Sequence, residues 1–226
     1  MASSTLTIQK TAKKTTFNIH ISMNYNADDI VVLDDIVPNW LHEDVVKNIP
    51  HTPVTFGHRG LGPYQGHQFF SNQWTHEQIE NAPWQLRAVW SAFESQKKKI
   101  SERVGDIELN QIQINITTKN LNGGLHVDST ENVPAYTMVY LVHGDSGMDF
   151  WSDNPDNGGK MFKEVPYKSG RCIVFPSRYI HRGLPTIEIE PRISIGYVFS
   201  GVTTPFARSR NIIMPIFEDE QAKIIQ

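Results

Sequence analysis

The stretch Arg192-Ile193-Ser194-Ile195-Gly196-Tyr197-Val198-Phe199-Ser200 alternates between two kinds of side chain more strictly than any other part of the chain. An alternation with a period of two residues predicts a β-strand. One face of this strand carries large apolar side chains, and the other carries Arg192, Ser194, Gly196 and Val198. The second face could be a solvated sheet surface. A lone cation beside small and apolar residues, soon after a histidine, favours a lined pocket.

Three further segments upstream have the composition of strands. Residues 107–117 alternate polar and apolar side chains, while 135–142 and 171–175 are rich in β-branched, aromatic and apolar residues. Apolar residues at helical spacing after Pro38, and again over 81–105, predict two helices. The expected class is therefore mainly β with flanking helices (α+β).

The segment His126-Val127-Asp128 lies between two of these strands, and His181 follows a third. In an extended segment, residues i and i+2 point to the same side, so His126 and Asp128 can share one metal ion. Two imidazoles and one carboxylate are the facial ligand set of non-haem Fe(II). A second copy, His42-Glu43-Asp44, falls in a predicted helix, where i and i+2 diverge. We expect those two residues to be surface residues.

From about Leu109 to Ser200, the chain resembles the Fe(II)/2-oxoglutarate-dependent dioxygenases, in particular the prolyl 4-hydroxylase-like branch. The resemblance is carried by the H-x-D segment at His126, a distal His181 and an R-x-S segment at Arg192, all on strand-like sequence. It implies a double-stranded β-helix (jelly-roll) core backed by N-terminal helices. The implied organisation is a single domain over 1–226, with N-terminal support over about 16–106, the core over about 107–200 and a C-terminal extension over 201–226.

The resemblance also implies roles for individual residues. His126, Asp128 and His181 would ligate Fe(II). Arg192 would pair with the distal carboxylate of 2-oxoglutarate, and Ser194 would add a hydroxyl donor. The animal collagen-type enzymes use a lysine where this chain has Arg192, so the chain departs from that subgroup.

Two other positions match the family less directly. Tyr140 stands where members often place a tyrosine that hydrogen-bonds the cosubstrate, although an aromatic packed inside the barrel is an equal alternative. Asn115 matches a position that often lines the pocket in this branch, and the resemblance implies that it contacts the cosubstrate. Gly147-Met148-Asp149-Phe150 stands in place of a more usual double glycine, which leaves the predicted turn there undefined.

The implied reaction uses Fe(II), 2-oxoglutarate and O2, with ascorbate as a candidate auxiliary reductant. It couples oxidative decarboxylation of 2-oxoglutarate, to succinate and CO2, with hydroxylation of a second substrate. That substrate is unknown, and a prolyl, other peptidyl or amino-acid substrate is favoured by analogy. Two alternatives stay open: a cupin-like metal-binding or sensing module without oxygenase activity, and a zinc hydrolase with Glu131 as its acid/base.

The composition agrees with a globular enzyme and gives no sign of a nucleic-acid partner, since the net charge is −3 over 226 residues. The single Cys172 excludes a disulfide within the chain. The sequence shows no signal-peptide segment and no apolar run of membrane-spanning length, so a cytoplasmic location is expected. Long loops are expected over 50–73, bordering the active-site mouth, and over 152–160. A strand is expected near 16–25 and a short helix from Ile216.

Overall fold

The computed structural model describes residues 25–58, 69–96, 107–119, 124–129, 135–189 and 191–201. Within these ranges the chain forms two α-helices, α1 (Asn39–Asn48) and α2 (Trp84–Ser95), and short 3-10 turns. The strands described are β1 (Val31–Leu33), β2 (Thr55–His58), β3 (Phe69–Thr75), β4 (Ile107–Thr117), β5 (Ala135–His143), β6 (Met148–Trp151), β7 (Met161–Val165), β8 (Cys172–Pro176), β9 (Ile180–Gly183) and β10 (Arg192–Gly201).

The strands form two antiparallel sheets. The larger has seven strands in the order β1-β8-β5-β10-β4-β3-β2, and the smaller has three in the order β7-β6-β9. Strand β10 lies between β4 and β5 and pairs with both along most of its length. This arrangement confirms the predicted class, mainly β with few helices, and agrees with a double-stranded β-helix.

One face of the large sheet packs against the two helices. The apolar positions of β4 and β10, such as Ile114 and Tyr197, are fully buried there against Leu86 and Phe93 of α2. The Tyr197 hydroxyl donates to the carbonyl of Leu86 at 3.0 Å, so its one polar atom is satisfied. Burial of each such aromatic side chain contributes about 1.5–3 kcal/mol.

A second apolar cluster lies on the opposite side of the large sheet and includes residues of the small sheet. Val139, Leu141 and Phe175 of the large sheet meet Phe150 of β6 and Tyr179 in it. The cluster fixes β6 over the larger sheet, and β9 pairs with β6. Strand β9 thereby places His181 toward the polar faces of β4 and β10.

The bounds of β4, β5, β8, β10 and α1 agree closely with the sequence-based expectations, and three other segments differ. His181 was expected in a connection but lies within β9, and the turn expected at Gly147–Phe150 is largely strand β6. The loop expected over 50–73 contains strand β2 and the start of β3. The loop over 152–160 connects β6 to β7 through a 3-10 turn, as expected.

Several expectations fall on parts of the chain outside the described ranges. They are the strand near 16–25 except for Tyr25, the end of the second helix beyond Gln96, and the helix from Ile216. The single-domain division stays a prediction. Neither helix described here combines the length and apolar character needed to cross a bilayer, and the cytoplasmic location also stays a prediction.

Candidate metal and cosubstrate pocket

Three potential metal ligands converge where a short extended segment meets β9. His126 and His181 pair through two backbone hydrogen bonds of 3.0 Å, which bring the two imidazole rings to the same side. Asp128, two residues after His126, lies between them, with carboxylate oxygens 3.4 Å from Nε2 of each ring. One ligand atom from each residue lies within 4.8 Å of the other two. This donor set fits a divalent transition metal.

Backbone carbonyls fix the tautomer of both histidines. His126 Nδ1 lies 2.8 Å from the carbonyl oxygen of Gly124, and His181 Nδ1 lies 2.8 Å from that of Tyr179. A carbonyl only accepts, so each Nδ1 carries the proton. Each Nε2 is therefore the ring nitrogen that remains for a metal ion, and it lies beside Asp128. Hydrogen bonds of this kind orient metal-binding histidines in proteins.

The electrostatics keep Asp128 and His181 in their metal-binding states at neutral pH. For His126, burial would lower the pKa, but the hydrogen bond and charge of Asp128 raise it. Burial alone would raise the pKa of Asp128, but the adjacent His181 and His126 and the Thr137 hydroxyl hold it well below its usual range. Burial lowers the pKa of His181 to about 4, despite the nearby carboxylate. Asp128 is thus ionised and His181 is neutral, which are the states that bind a metal ion.

One hydroxyl group, itself in contact with a second, holds the carboxylate of Asp128 in place. Thr137 Oγ1 donates to Asp128 Oδ2 at 2.7 Å and also contacts Ser177 Oγ at 2.9 Å. The carbonyl of Ser177 accepts from the backbone N–H of Asp128 at 2.8 Å. Side chain and backbone of Asp128 are therefore both anchored to neighbouring elements.

Arg192 is a buried cation in the same pocket. Only 4% of the residue is exposed, and its guanidinium donates to the carbonyls of Ser146 (3.2 Å) and Gly147 (3.4 Å) and to Ser194 Oγ (3.2 Å). Burial lowers its pKa to about 10, so it stays charged at neutral pH. No ion pair within the described ranges includes Arg192. A buried charge without a counter-charge is energetically unfavourable, so an anionic ligand beside the guanidinium would stabilise the pocket.

The pocket is a cleft, open to solvent, between the polar face of the large sheet and β9. It brings together six of the seven residues predicted from the sequence: His126, Asp128, His181, Arg192, Ser194 and Asn115. The alternation predicted for β10 holds, since Gly196 and Val198 also line the cavity.

Tyr140 is the exception, and the structure corrects its predicted contact with the cosubstrate. Val139 and Thr137 of β5 line the pocket, so the alternation along the strand turns Tyr140 to the helix-packed face. There it is fully buried, and its hydroxyl donates to His42 Nδ1 at 2.6 Å. Tyr140 is thus packed in the core, which was the alternative.

The second H-x-D copy is also only partly as expected. His42 and Asp44 lie on α1 and do not share a metal site. Both are half-buried rather than fully on the surface, and His42 bridges Tyr140 to Ser169 Oγ at 2.9 Å. His42 therefore joins α1 to the large sheet.

Sequence reasoning missed several pocket residues. Gln111 and Gln113 line the cavity from β4, Thr137 from β5 and Gly183 from β9. The glutamines share the parity of Asn115 along the strand, so a strict alternation from that residue would have found them. Thr137 and Gly183 carry no comparable signal in the sequence.

Comparison with known proteins finds similarity only at the level of structure. No protein-family model and no curated protein sequence matches the chain. Solved structures do match: the α-ketoglutarate-dependent carbocyclase SnoK from nogalamycin biosynthesis superposes with a TM-score of 0.55 at 11% identity, over 83% of this chain and 91% of that one. The chain has the fold of the 2-oxoglutarate-dependent oxygenases.

Two further oxygenase structures superpose over 77% of this chain. A prolyl hydroxylase from Trichoplax adhaerens, in complex with a hypoxia-inducible-factor peptide fragment, gives a TM-score of 0.54 at 13% identity over 84% of its length. HygX from Streptomyces hygroscopicus, with nickel, 2-oxoglutarate and hygromycin B bound, gives 0.54 at 10% identity over 83% of its length. Since one of these neighbours is in complex with a peptide and the other with hygromycin B, the shared fold does not specify a substrate.

Proposed function

We propose that this protein is an Fe(II)- and 2-oxoglutarate-dependent oxygenase that hydroxylates a second substrate. The observation that carries the proposal is the presence of two features in one pocket. A His126–Asp128–His181 triad offers a facial ligand set, and the buried Arg192 has no anionic partner among the described residues. A transition metal and a carboxylate-bearing cosubstrate satisfy both features together.

The triad would hold Fe(II) through His126 Nε2, His181 Nε2 and an oxygen of Asp128. With three protein ligands, the metal would keep coordination positions open for other ligands. When bound, the iron supplies the oxidative decarboxylation of 2-oxoglutarate to succinate and CO2 and the oxidation of a C–H bond. Thr137 and the carbonyls of Gly124 and Tyr179 keep the ligands oriented for it.

Arg192 and Ser194 would hold the distal carboxylate of 2-oxoglutarate. A guanidinium presents a planar pair of N–H donors to a carboxylate and keeps its charge at neutral pH, which suits a fixed clamp. Ser194 Oγ, 3.2 Å from Arg192 Nη1, is placed to donate to the same group. Burial strengthens these contacts because water is excluded.

The rival functions account for less of the pocket. A cupin-like metal-binding module has no need of the unpaired Arg192. A zinc hydrolase requires a general acid/base near the metal, and Glu131 lies outside the described residues. Asp128 is the sole carboxylate among the described pocket residues. A prolyl, peptidyl or amino-acid substrate is the favoured class for the hydroxylation.

The test is turnover of 2-oxoglutarate by metal-free protein reloaded with Fe(II), with ascorbate as reductant. Succinate should form only when Fe(II) and O2 are both supplied, and Zn(II) should not replace iron. Asp128→Ala should abolish succinate formation. Asp44→Ala, in the helical copy of the same tripeptide, is the matched control and should leave it unchanged. Metal binding without oxygen-dependent succinate would instead favour the cupin-like module.

A further inference from the structure

The pocket-facing side of β4 carries three carboxamide side chains at alternate positions. Gln111, Gln113 and Asn115 all line the cavity, and we call them the amide row. Neither glutamine is needed to hold the metal triad or Arg192. The two glutamines of the row are therefore pocket residues to which the metal and cosubstrate roles assign nothing.

Hydrogen bonds hold the amide row in a fixed arrangement. Gln113 Nε2 donates to Asn115 Oδ1 at 2.8 Å and to Ser71 Oγ at 3.1 Å. Gln111 Nε2 donates to Gln113 Oε1 at 3.1 Å, and Gln73 Nε2 donates to Gln111 Oε1 at 3.2 Å. Because each amide is positioned by its neighbour, the row is preorganised, and ordering it on ligand binding costs little.

The amide row retains unused hydrogen-bonding capacity of both kinds. Within the described ranges, Asn115 Nδ2 has no acceptor, and Gln111 Nε2 uses one of its two hydrogens. The Oε1 atoms of Gln111 and Gln113 each accept one hydrogen bond and can accept another. The free groups are thus a mixture of neutral donors and acceptors.

Strand register places the row beside the metal triad. Gln111 is level with Val198 of β10 and Thr137 of β5, and Thr137 bonds to Asp128. Gln113 is level with Gly196, whose missing side chain leaves a depression in the sheet face. A group lying in that depression would contact the amide row within the same pocket as the proposed iron ligands.

Charge distribution restricts what can bind there. Apart from the histidines, the only ionisable side chains among the described pocket residues are Asp128 and Arg192. Both are already assigned, to metal and cosubstrate. A charged substrate group against the amide row would be desolvated with no counter-charge, which is strongly unfavourable.

We propose that the amide row is the primary-substrate subsite and that it selects an uncharged carboxamide group of the substrate. A carboxamide presents a donor and an acceptor in one plane, so it can extend the amide–amide pairing that already joins Gln111, Gln113 and Asn115. This inference rests on the proposed oxygenase function and adds the chemical class of the group next to the reacting carbon.

The test uses three probes that share an alanine frame: neutral N-acetyl-L-alaninamide, anionic N-acetyl-L-alaninate and cationic L-alaninamide. At about pH 6.5 the last is protonated, since an α-amino group ordinarily has a pKa of about 7.7–8.0. Binding is measured without O2 in Mn(II)- and 2-oxoglutarate-loaded protein, through the paramagnetic relaxation of probe protons by Mn(II). The neutral probe should bind at least about tenfold more tightly than either charged probe. The capped tripeptide Ac-Ala-Ala-Ala-NH2 distinguishes a peptide source of the carboxamide, for which it binds more tightly, from a small-molecule source.

Gln113→Glu, nearly isosteric, should reverse the preference so that the cationic probe binds best. Gln85→Glu on α2, outside the pocket, is the matched control and should keep the wild-type order. Equal or tighter binding of a charged probe to the wild type, or an unchanged order in Gln113→Glu, would overturn the inference. Calorimetry of 2-oxoglutarate on the same samples separates the two hypotheses. If the cosubstrate binds normally, only the substrate subsite is refuted, and if it does not, the oxygenase proposal itself fails.

Discussion

The guanidinium of Arg192 lies directly against Gly183, the second residue after His181 on β9. A Cβ at position 183 would come within 2.7 Å of Nη1 and 2.8 Å of Cζ, closer than side-chain atoms approach. The absence of a side chain at Gly183 therefore lets the cation lie against the strand that carries a proposed iron ligand. The two halves of the proposed site are joined at this contact.

Gly183→Ala should weaken binding of 2-oxoglutarate by about tenfold or more while leaving metal affinity near the wild-type value. The added methyl group must push the guanidinium aside, and a bidentate clamp loses strength when its geometry is disturbed. Gly196→Ala is the steric control, because a Cβ there meets its nearest neighbours at 3.9 Å and 4.0 Å. Calorimetric titrations of Mn(II) and then 2-oxoglutarate measure both affinities. Equal cosubstrate binding by Gly183→Ala and wild type would show that the contact is incidental.

Thr137→Val should reduce affinity for Mn(II) by about 10–100-fold, because it removes the hydroxyl that orients the carboxylate of Asp128. The substitution keeps the branched shape of the side chain, so the fold is retained. Thr137→Ser restores the hydroxyl and should recover most of the affinity. Competition with a metallochromic chelator gives the dissociation constants. A serine variant as weak as the valine variant would point to packing rather than the hydrogen bond.

Tyr140→Phe should leave 2-oxoglutarate affinity unchanged and lower the free energy of unfolding by about 1 kcal/mol. The hydroxyl bonds to His42 on the helix-packed face, so its loss weakens the attachment of α1 without reaching the pocket. Urea denaturation and cosubstrate calorimetry on the same preparation separate the two effects. A tenfold loss of cosubstrate affinity would mean that Tyr140 contributes to the site after all.

Asp34→Asn should destabilise the protein by about 0.5–1 kcal/mol at pH 7, a figure reduced for partial solvent exposure. Arg171 donates to both oxygens of Asp34, at 2.8 Å and 3.0 Å, and lowers the pKa of that carboxyl to about 2. The folded-state pKa lies below the unfolded value of about 3.9, so the contribution is complete above that pH and is lost as the pH falls toward 2.

The control for this ion pair is Asp35→Asn, because the Asp35 side chain is 84% exposed and contacts only Lys168 among the ion pairs described. Thermal unfolding followed from pH 7 down to pH 2 should show the Asp34→Asn deficit shrinking with acidification. The Asp35→Asn curve should follow the wild type throughout. A deficit for Asp34→Asn that does not vary with pH would assign it to packing instead of charge.

The sequence predicted those features of the fold and the pocket that depend on the residue pattern of a single strand. The alternation from Arg192 to Ser200 predicted both the extent of β10 and the side that faces the pocket. The two-residue spacing of His126 and Asp128 predicted a shared site because the segment is extended. These features are local, so they can be read without knowing which strands are neighbours.

Features set by tertiary placement could not be predicted in the same way. The parity of β5 relative to the metal depends on its register with β10, so the sequence could not show that Thr137 and Val139, rather than Tyr140, face the cavity. The glutamines of β4 share the parity of Asn115, but the alternation alone does not show how far the pocket extends along that strand. Gly183 matters through its contact with Arg192 on another strand. The pattern of residues along a single strand does not reveal such a contact.

The central claim is that one pocket holds a metal ion and, at Arg192, a carboxylate-bearing cosubstrate. The most direct measurement is anaerobic calorimetry of 2-oxoglutarate into Mn(II)-loaded wild type and Arg192→Met. Binding to the wild type should require the metal, and the variant should bind at least about 100-fold more weakly, since two charge-assisted hydrogen bonds are lost. The metal-free variant should be at least as stable as the wild type, because an unpaired buried charge is removed. Undiminished binding by Arg192→Met, or no binding by metal-loaded wild type, would contradict the account.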